Sequence, residues 1–320
     1  MKKYLITGYS GFVSAHFLQL LEDKGERVLV HGVDINEPGN VKDYQFVQAS
    51  FRKTDLLDKE AVRQLLSDFM PDYILHLASY SSVAYSWKHP AEAFVNNTNI
   101  FLNLADLVRT MEIKCRILSV GSSEEYGNIA PEQLPVKETA VPRPGSPYAV
   151  ARLSQEMLSE IYAKNFGVDI VMSRSFNHIG PGQKDIFVIS SFAKKLTAIK
   201  KNSAGSGNIT VGNISLVRDF VDVRDVVEAY YLLFQKGKSG EVYNICSGIG
   251  TSLDDILRSM INILDIKADF HTDESLVRPG ENKVIIGSPA KIQAAIGWKP
   301  TIALNESLTD IINYWMEKEQ

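Results

Sequence analysis

The chain has 320 residues, 45% apolar and 22% charged, with a formal net charge of −4. That is long enough for one large domain or a two-lobed enzyme with a sizeable core. The mildly acidic balance provides no broad basic surface, so a nucleic-acid partner is not expected, although single arginines or lysines can still hold a phosphate.

The opening "MKKYLITGYSG" runs from two lysines straight into a short strand and a glycine turn. It is too short for a secretion signal or a membrane span, which points to a cytoplasmic protein with no membrane partner. Apolar strand-like runs then alternate with helical patterns. The runs are "KYLITG" (3–8), "RVLVHGVD" (27–34), "YQFVQA" (44–49), "YILHLA" (73–78), "RILSVGSS" (116–123) and "DIVMSRSF" (169–176). Between them lie "FVSAHFLQLLEDKG" and "KEAVRQLLSDF". Runs apolar on both faces, separated by helices, predict an α/β fold with a doubly wound parallel sheet. The proline-rich "PEQLPVKETAVPRPGSP" reads as an ordered loop.

After about Arg174 the pattern loosens. "NHIGPGQKD" reads as a loop, "FVISSFAKKLTAIKK" as a helix and "SAGSGNITVGN" as a turn with a short strand. "VVEAYYLLFQKG", "EVYNICSG", "LDDILRSMINIL" and "LNESLTDIINYWMEK" follow, and the whole reads as a smaller lobe interleaved with the end of the sheet. Cys115 and Cys246, the two cysteines, lie in apolar strand-like runs and read as buried free thiols. No Cys/His cluster has ligand spacing, so no metal is expected.

"ITGYSGFVSAHFLQLL" follows a strand and opens a helix. Gly8 and Gly11 would permit the tight turn and the close approach of backbone to a pyrophosphate seated on the helix N-terminus. Ser10, Phe12 and Val13 belong to the same turn, and Ser14 takes the third small position. Asp34 ends the second strand, where a carboxylate can accept from the adenosine ribose hydroxyls. No arginine follows it in "VDINEP", so a 2′-phosphate would meet like charge. NAD(H) is favoured over NADP(H), which stays as the second choice. Asp55 and Leu56 fit a turn against adenine, although Asp55 could equally cap the next helix.

Ser122 ends the fifth strand in "SVGSSEEYG", on the side where parallel sheets open to ligands. Tyr148 and Arg152 in "SPYAVARLSQE" are spaced i, i+4 and share one helix face. A cation beside a phenol stabilises the phenolate and makes it a better proton shuttle.

Taken together these features resemble the extended short-chain dehydrogenase/reductases. "HLAS" (76–79), "NNTNIFLNLADL", "PYAVA", "RDFVDVRDVVEAY", "GEVYNICSG" and "GWKP" look like landmarks of that family's sugar-nucleotide branch. "SRSFNHIGPGQ" with "FVISSFAKKL" and "GSSEEYG" is most similar to the GDP-6-deoxy-4-keto-mannose reductases, which make GDP-rhamnose.

The resemblance implies a Rossmann-type cofactor domain over 1–173 with a returning segment at about 216–247. The substrate lobe would then cover 174–215 and 248–320. It also implies that Leu77 and Ala78 line the cofactor site. Tyr148 would protonate the C4 oxygen of the sugar, with Ser122 and Ser123 beside it, and Arg152 would stand where lysine is usual. Asn177 would contact sugar or diphosphate, and Arg218 and Arg278 would grip the diphosphate.

The implied substrate is a GDP-linked 4-keto-6-deoxy sugar, a hexose or a 6-deoxy-heptose, with Tyr80 and Tyr85 as candidate pocket walls. The implied partner is a second copy, paired through helices flanking the sheet. Glu124 sits where 4,6-dehydratases keep the base that removes the C5 proton, which leaves a dehydratase or epimerase as the alternative. A cofactor-binding scaffold without activity is the third reading. Because Arg152 retains the positive charge, Arg152→Lys is expected to retain activity.

Overall fold

The computed structural model of the chain describes residues 1–39, 42–202, 205–276 and 282–318. The N-terminal part runs β1 (Lys2–Thr7), α1 (Phe12–Asp23), β2 (Val28–Asp34), β3 (Val47–Lys53), α2 (Lys59–Phe69) and β4 (Tyr73–His76). Next come α3 (Val83–Lys88), α4 (Pro90–Thr110), β5 (Arg116–Ser122), α5 (Pro147–Phe166), β6 (Asp169–Ser175) and β7 (Asn177–Ile179). The remainder is α6 (Val188–Asn202), β8 (Ser206–Val211), β9 (Val217–Asp222), α7 (Val223–Lys236), β10 (Val242–Ile245) and β11 (Gly250–Ser252). The chain closes with α8 (Leu253–Leu264), β12 (Lys267–Thr272), β13 (Val284–Ile285), α9 (Ala290–Ile296) and α10 (Leu304–Lys318).

Seven parallel strands form the main sheet in the order β10-β6-β5-β4-β1-β2-β3. Tyr4, Leu5 and Ile6 of β1 are wholly buried because helices cover both faces, as the unbroken apolar runs require. One face packs α1 and α7 over Phe17, Leu21, Tyr230 and Leu233, and the other packs α2 and α4 over Leu65, Leu66, Phe101 and Leu104. The chain leaves β1 in one direction toward β2 and β3 and returns on its other side through β4, β5 and β6. The crevice where the order reverses lies beyond the carboxyl ends of β1 and β4.

Two segments differ from the sequence reading. β3 begins at Val47 and runs to Lys53, because the Glu22 carboxylate holds the backbone N–H groups of Gln45, Phe46 and Val47 at the strand's entry. As an edge strand it tolerates exposed Arg52 and Lys53, which the apolar criterion passes over. Residues 177–179, expected as loop, form β7 alongside β9.

The segment 216–247 is also divided differently. Only β10 joins the main sheet, with α7 packed on its face, while β9 is the hub of a second sheet with β7, β11 and β13. Buried Asp219 ties that sheet to the end of β10, accepting from the N–H groups of Ser247, Gly248 and Gly287 and from the Ser247 hydroxyl. A further apolar core, with Leu196, Ile256, Leu257, Leu308 and Trp315, sits between α6, α8 and α10.

Candidate active site

One cleft of about 1370 Å³ runs along the carboxyl edge of the main sheet and into the second lobe. All the site residues expected from the sequence line it except Arg278, which lies outside the described residues.

In the half beside the glycine turn, Gly8 has φ +72°, and a Cβ there would stand 2.8 Å from the Ala78 nitrogen. Glycine is therefore required both by conformation and by the approach of the β4 end. The Gly11 N–H donates to the Gly8 carbonyl at 3.0 Å, and no side chain caps α1, so the first N–H groups of the helix face the cleft. The Asp34 carboxylate accepts from Ser10 N–H at 3.1 Å and from Asn36 N–H at 2.9 Å, which fixes it at the tip of β2. The Thr7 hydroxyl oxygen accepts from Ala78 N–H at 3.2 Å, joining the glycine turn to the Leu77–Ala78 wall. Asp55 accepts from Leu57 N–H and Asp58 is the cap of α2, so the capping role considered for Asp55 belongs three residues on. This cradle of a positive-φ glycine, a bare helix N-terminus and a strand-end carboxylate fits a dinucleotide.

In the other half of the cleft, α5 starts where Ser146 Oγ accepts from Ala149 N–H and Pro147 occupies the first turn, and it stops at Gly167 in the left-handed region. That start places Tyr148 and Arg152 on the buried face against β5. Arg152 Nε donates to Tyr148 Oη at 3.3 Å. Arg152 Nη1 donates to the Val120 carbonyl at 3.1 Å and to Gln155 Oε1 at 2.7 Å, and Nη2 donates to Ser79 Oγ. Ser122 ends β5, and its Oγ accepts from Glu124 N–H at 3.2 Å, so it both caps the following turn and lines the cleft.

The turn Ser123–Tyr126 is locked by Glu125, whose Oε1 accepts from Ser122 N–H at 2.7 Å in a capping box. Glu125 is wholly buried beside Arg174, which pairs with Glu156 at 2.6 Å. Burial first, then the neighbouring Glu156, pushes the Glu125 carboxyl well above the ordinary range. Glu124, the candidate base, is half-buried on the cleft side of the same turn.

Asn177 starts β7 at the cleft, and the neighbouring His178 stacks on Phe12 with centroids 5.7 Å apart, bridging the glycine turn to the second lobe. Arg218 on β9 is anchored through Nη1 to the Val217 carbonyl at 2.9 Å and lines the same cleft. Tyr80 and Tyr85 pack against each other at 5.1 Å on the cleft wall. Ser79, Gln155 and Glu125 went unassigned in the sequence. The Ser122-x-x-Glu125 spacing of a capping box is a signal for Glu125, whereas no local pattern marks Ser79 or Gln155.

Such a sheet, with a tyrosine and a cation one helical turn apart at its open edge, defines an extended short-chain dehydrogenase/reductase. This is a class of NAD(P)-dependent oxidoreductases. Comparison with known proteins narrows the class. The chain belongs to the GDP-mannose 4,6 dehydratase family, whose model matches residues 5–311.

It is 34% identical over 261 residues to a GDP-6-deoxy-D-mannose reductase of Pseudomonas aeruginosa, covering 82% of this chain and 85% of that one. It is 28% identical to a GDP-6-deoxy-D-talose 4-dehydrogenase of Aggregatibacter actinomycetemcomitans, over 92% of this chain and 91% of the other. The solved structure of RMD from Pseudomonas aeruginosa complexed with NADPH superposes with TM-score 0.86 at 31% identity, covering 99% and 100% of the two chains. Among the described residues, no helix is long and apolar enough to cross a membrane.

Proposed function

We propose that this chain reduces the 4-keto group of a GDP-linked 4-keto-6-deoxy sugar, with NADH preferred to NADPH. The observation that carries the reading is the buried Tyr148–Arg152 pair on the wall of a cleft that also holds Ser122 and the dinucleotide cradle. The Pseudomonas relative named as a GDP-6-deoxy-D-mannose reductase supports the substrate class.

When bound, the nicotinamide supplies the hydride. Tyr148 Oη donates a proton to the sugar's C4 oxygen as negative charge grows there, and the Ser122 hydroxyl donates a hydrogen bond to the same oxygen. The Arg152 charge stabilises the phenolate left behind. Ser123 and Asn177 border the sugar, and Arg218, with Arg278 as its expected companion, offers planar donors to the diphosphate. Asp34 accepts the adenosine ribose hydroxyls. The chain acts as a homodimer in this reading, because Val150, Met157 and Ile161 on α5 and Phe94 and Val95 on α4 leave an exposed apolar strip. Buried free Cys115 and Cys246 suit a reducing, cytoplasmic setting.

The family's name and the placement of Glu124 beside Ser122 favour one second reading, a 4,6-dehydratase in which Glu124 takes the C5 proton. Both are tested by offering 4-keto GDP-, CDP- and dTDP-sugars, and the corresponding unreacted sugars, with NADH or NADPH. Stoichiometric NADH loss on a 4-keto GDP-sugar supports the reductase. Consumption of GDP-mannose without net coenzyme change replaces it with the dehydratase.

A further inference from the structure

Arg152 is a nearly fully buried cation at 4% exposure, yet among the described residues no carboxylate forms an ion pair with it. Its donors are met by neutral oxygens from four places: the Tyr148 hydroxyl, the Val120 carbonyl, the Gln155 amide and the Ser79 hydroxyl. A guanidinium only donates, so the Gln155 amide must turn its oxygen toward Arg152. Its other end is held as well. Gln155 Nε2 donates to Ser119 Oγ at 2.9 Å and to the Val120 carbonyl at 3.2 Å. Ser159 Oγ lies 2.9 Å from Ser119 Oγ and donates to the Gln155 carbonyl at 2.8 Å. Gln155, Ser119 and Ser159 are all essentially inaccessible to water.

We propose that Gln155 is a positioning residue that makes arginine workable at position 152. Braced by Ser119 and Ser159, its side-chain oxygen holds one arm of the guanidinium. The Nε edge is thereby turned to Tyr148 and the other arm to Ser79 at the cleft wall. Without that hold, a long side chain with four rotatable bonds loses its single geometry.

Among the described residues, the titratable groups facing Arg152 include Tyr148 on α5, His76 on β4 and Tyr230 on α7. Burial, with the Arg152 charge second, holds His76 neutral, with its pKa down at about 3. Lysine at 152 carries three donors on a point charge and cannot serve the same four oxygens, so Gln155 Oε1 would be left buried and unpaired. Arg152→Lys is therefore expected to lose activity, contrary to what the charge alone suggests.

The inference rests on the proposed reductase reaction for its kinetic readout, and a second readout needs no substrate. With arginine Nε labelled by ¹⁵N in the full chain, the resonance absent from Arg152→Lys identifies Arg152. Gln155→Met, close in length but without an acceptor, is expected to speed solvent exchange of that Nε–H about tenfold, the factor for one lost hydrogen bond. Ser119→Ala, which removes only the brace, changes exchange in the same direction by about threefold.

In turnover assays, Gln155→Met lowers kcat about tenfold with the sugar's KM within about twofold. In an Arg152→Lys background the same substitution costs less than about twofold more, because its effect passes through the guanidinium. Unchanged Nε–H exchange in both Gln155→Met and Ser119→Ala overturns the proposal, as do losses that multiply in the double variant. Wild-type protein that leaves NADH unconsumed overturns the reductase reading alone, and the exchange measurement still decides the role of Gln155.

Discussion

Arg152 Nε reaches back one turn of α5 to donate to Tyr148 Oη at 3.3 Å, and the guanidinium also lies over the tyrosine ring at 5.5 Å. The i, i+4 spacing permits this contact, and the packing of α5 on β5 enforces it. Tyr148→Phe removes the acidic hydroxyl and little else. Turnover of the 4-keto sugar is expected to fall at least about 100-fold, the usual worth of a positioned acid. NADH affinity, followed by fluorescence titration, stays within about threefold because the cradle at Gly8 and Asp34 is untouched. Full activity in this variant would remove Tyr148 from the role of proton donor.

Asp34 is fixed at the tip of β2 by two backbone N–H groups, so its charge cannot swing away from an incoming ribose. A 2′-phosphate there meets a carboxylate with Glu37 nearby on the same cleft wall. Asp34→Ala should lower the NADH-over-NADPH preference in kcat/KM by about tenfold or more, through weaker NADH use together with better NADPH use. An unchanged preference ratio would place the discrimination elsewhere.

Glu125 holds the Ser122 turn from inside the core, where burial and then the neighbouring Glu156 push its carboxyl well above the ordinary range and so favour its neutral form. Glu125→Gln keeps an acceptor for Ser122 N–H and needs no charge, so unfolding free energy in urea should change by less than about 1 kcal/mol. Glu125→Ala opens a cavity beside Arg174 and leaves the Ser122 N–H unpaired, with an expected cost of about 3 kcal/mol. Equal losses from both would contradict a neutral Glu125.

His76 is wholly buried, and its affinity for protons is depressed from an ordinary 6.5 to about 3. Burial lowers His16 and His178 in the same direction. In the unfolded chain each takes up a proton near its ordinary value, so their contribution to stability is complete above about pH 6.5. It is lost as the pH falls toward the folded values, for His76 at a slope approaching roughly 1.4 kcal/mol per pH unit. The melting temperature should therefore fall steadily from pH 7 to pH 5, and His76→Gln should flatten that slope while lowering stability at pH 7. An identical slope in the variant would mean that other groups govern the acid sensitivity.

Much of this was legible in the chain. The helices "KEAVRQLLSDF", "LDDILRSMINIL" and "LNESLTDIINYWMEK" form over the residues their periodicity marks. The glycine turn, Asp34 and Ser122 converge on one cleft because β1, β2 and β5 are parallel and end on one edge, and the start of α5 sets Tyr148 against the same cleft. The edge strand β3 was displaced because its pairing with β2 outweighs its polar composition. β7 was missed because three residues carry too little pattern to separate a strand from a loop.

The sequence by itself determined the alternation of strand and helix, the glycine turn, and a tyrosine with a cation on one helix face, since these follow from local spacing and residue chemistry. Tertiary structure alone decided that β9 belongs to the second sheet, that Glu125 is buried beside Arg174, and that Arg152 is held by Gln155 and Ser79. Burial and hydrogen-bond satisfaction are properties of the packed whole, in which Ser79 and Arg152, 73 residues apart, meet at one wall.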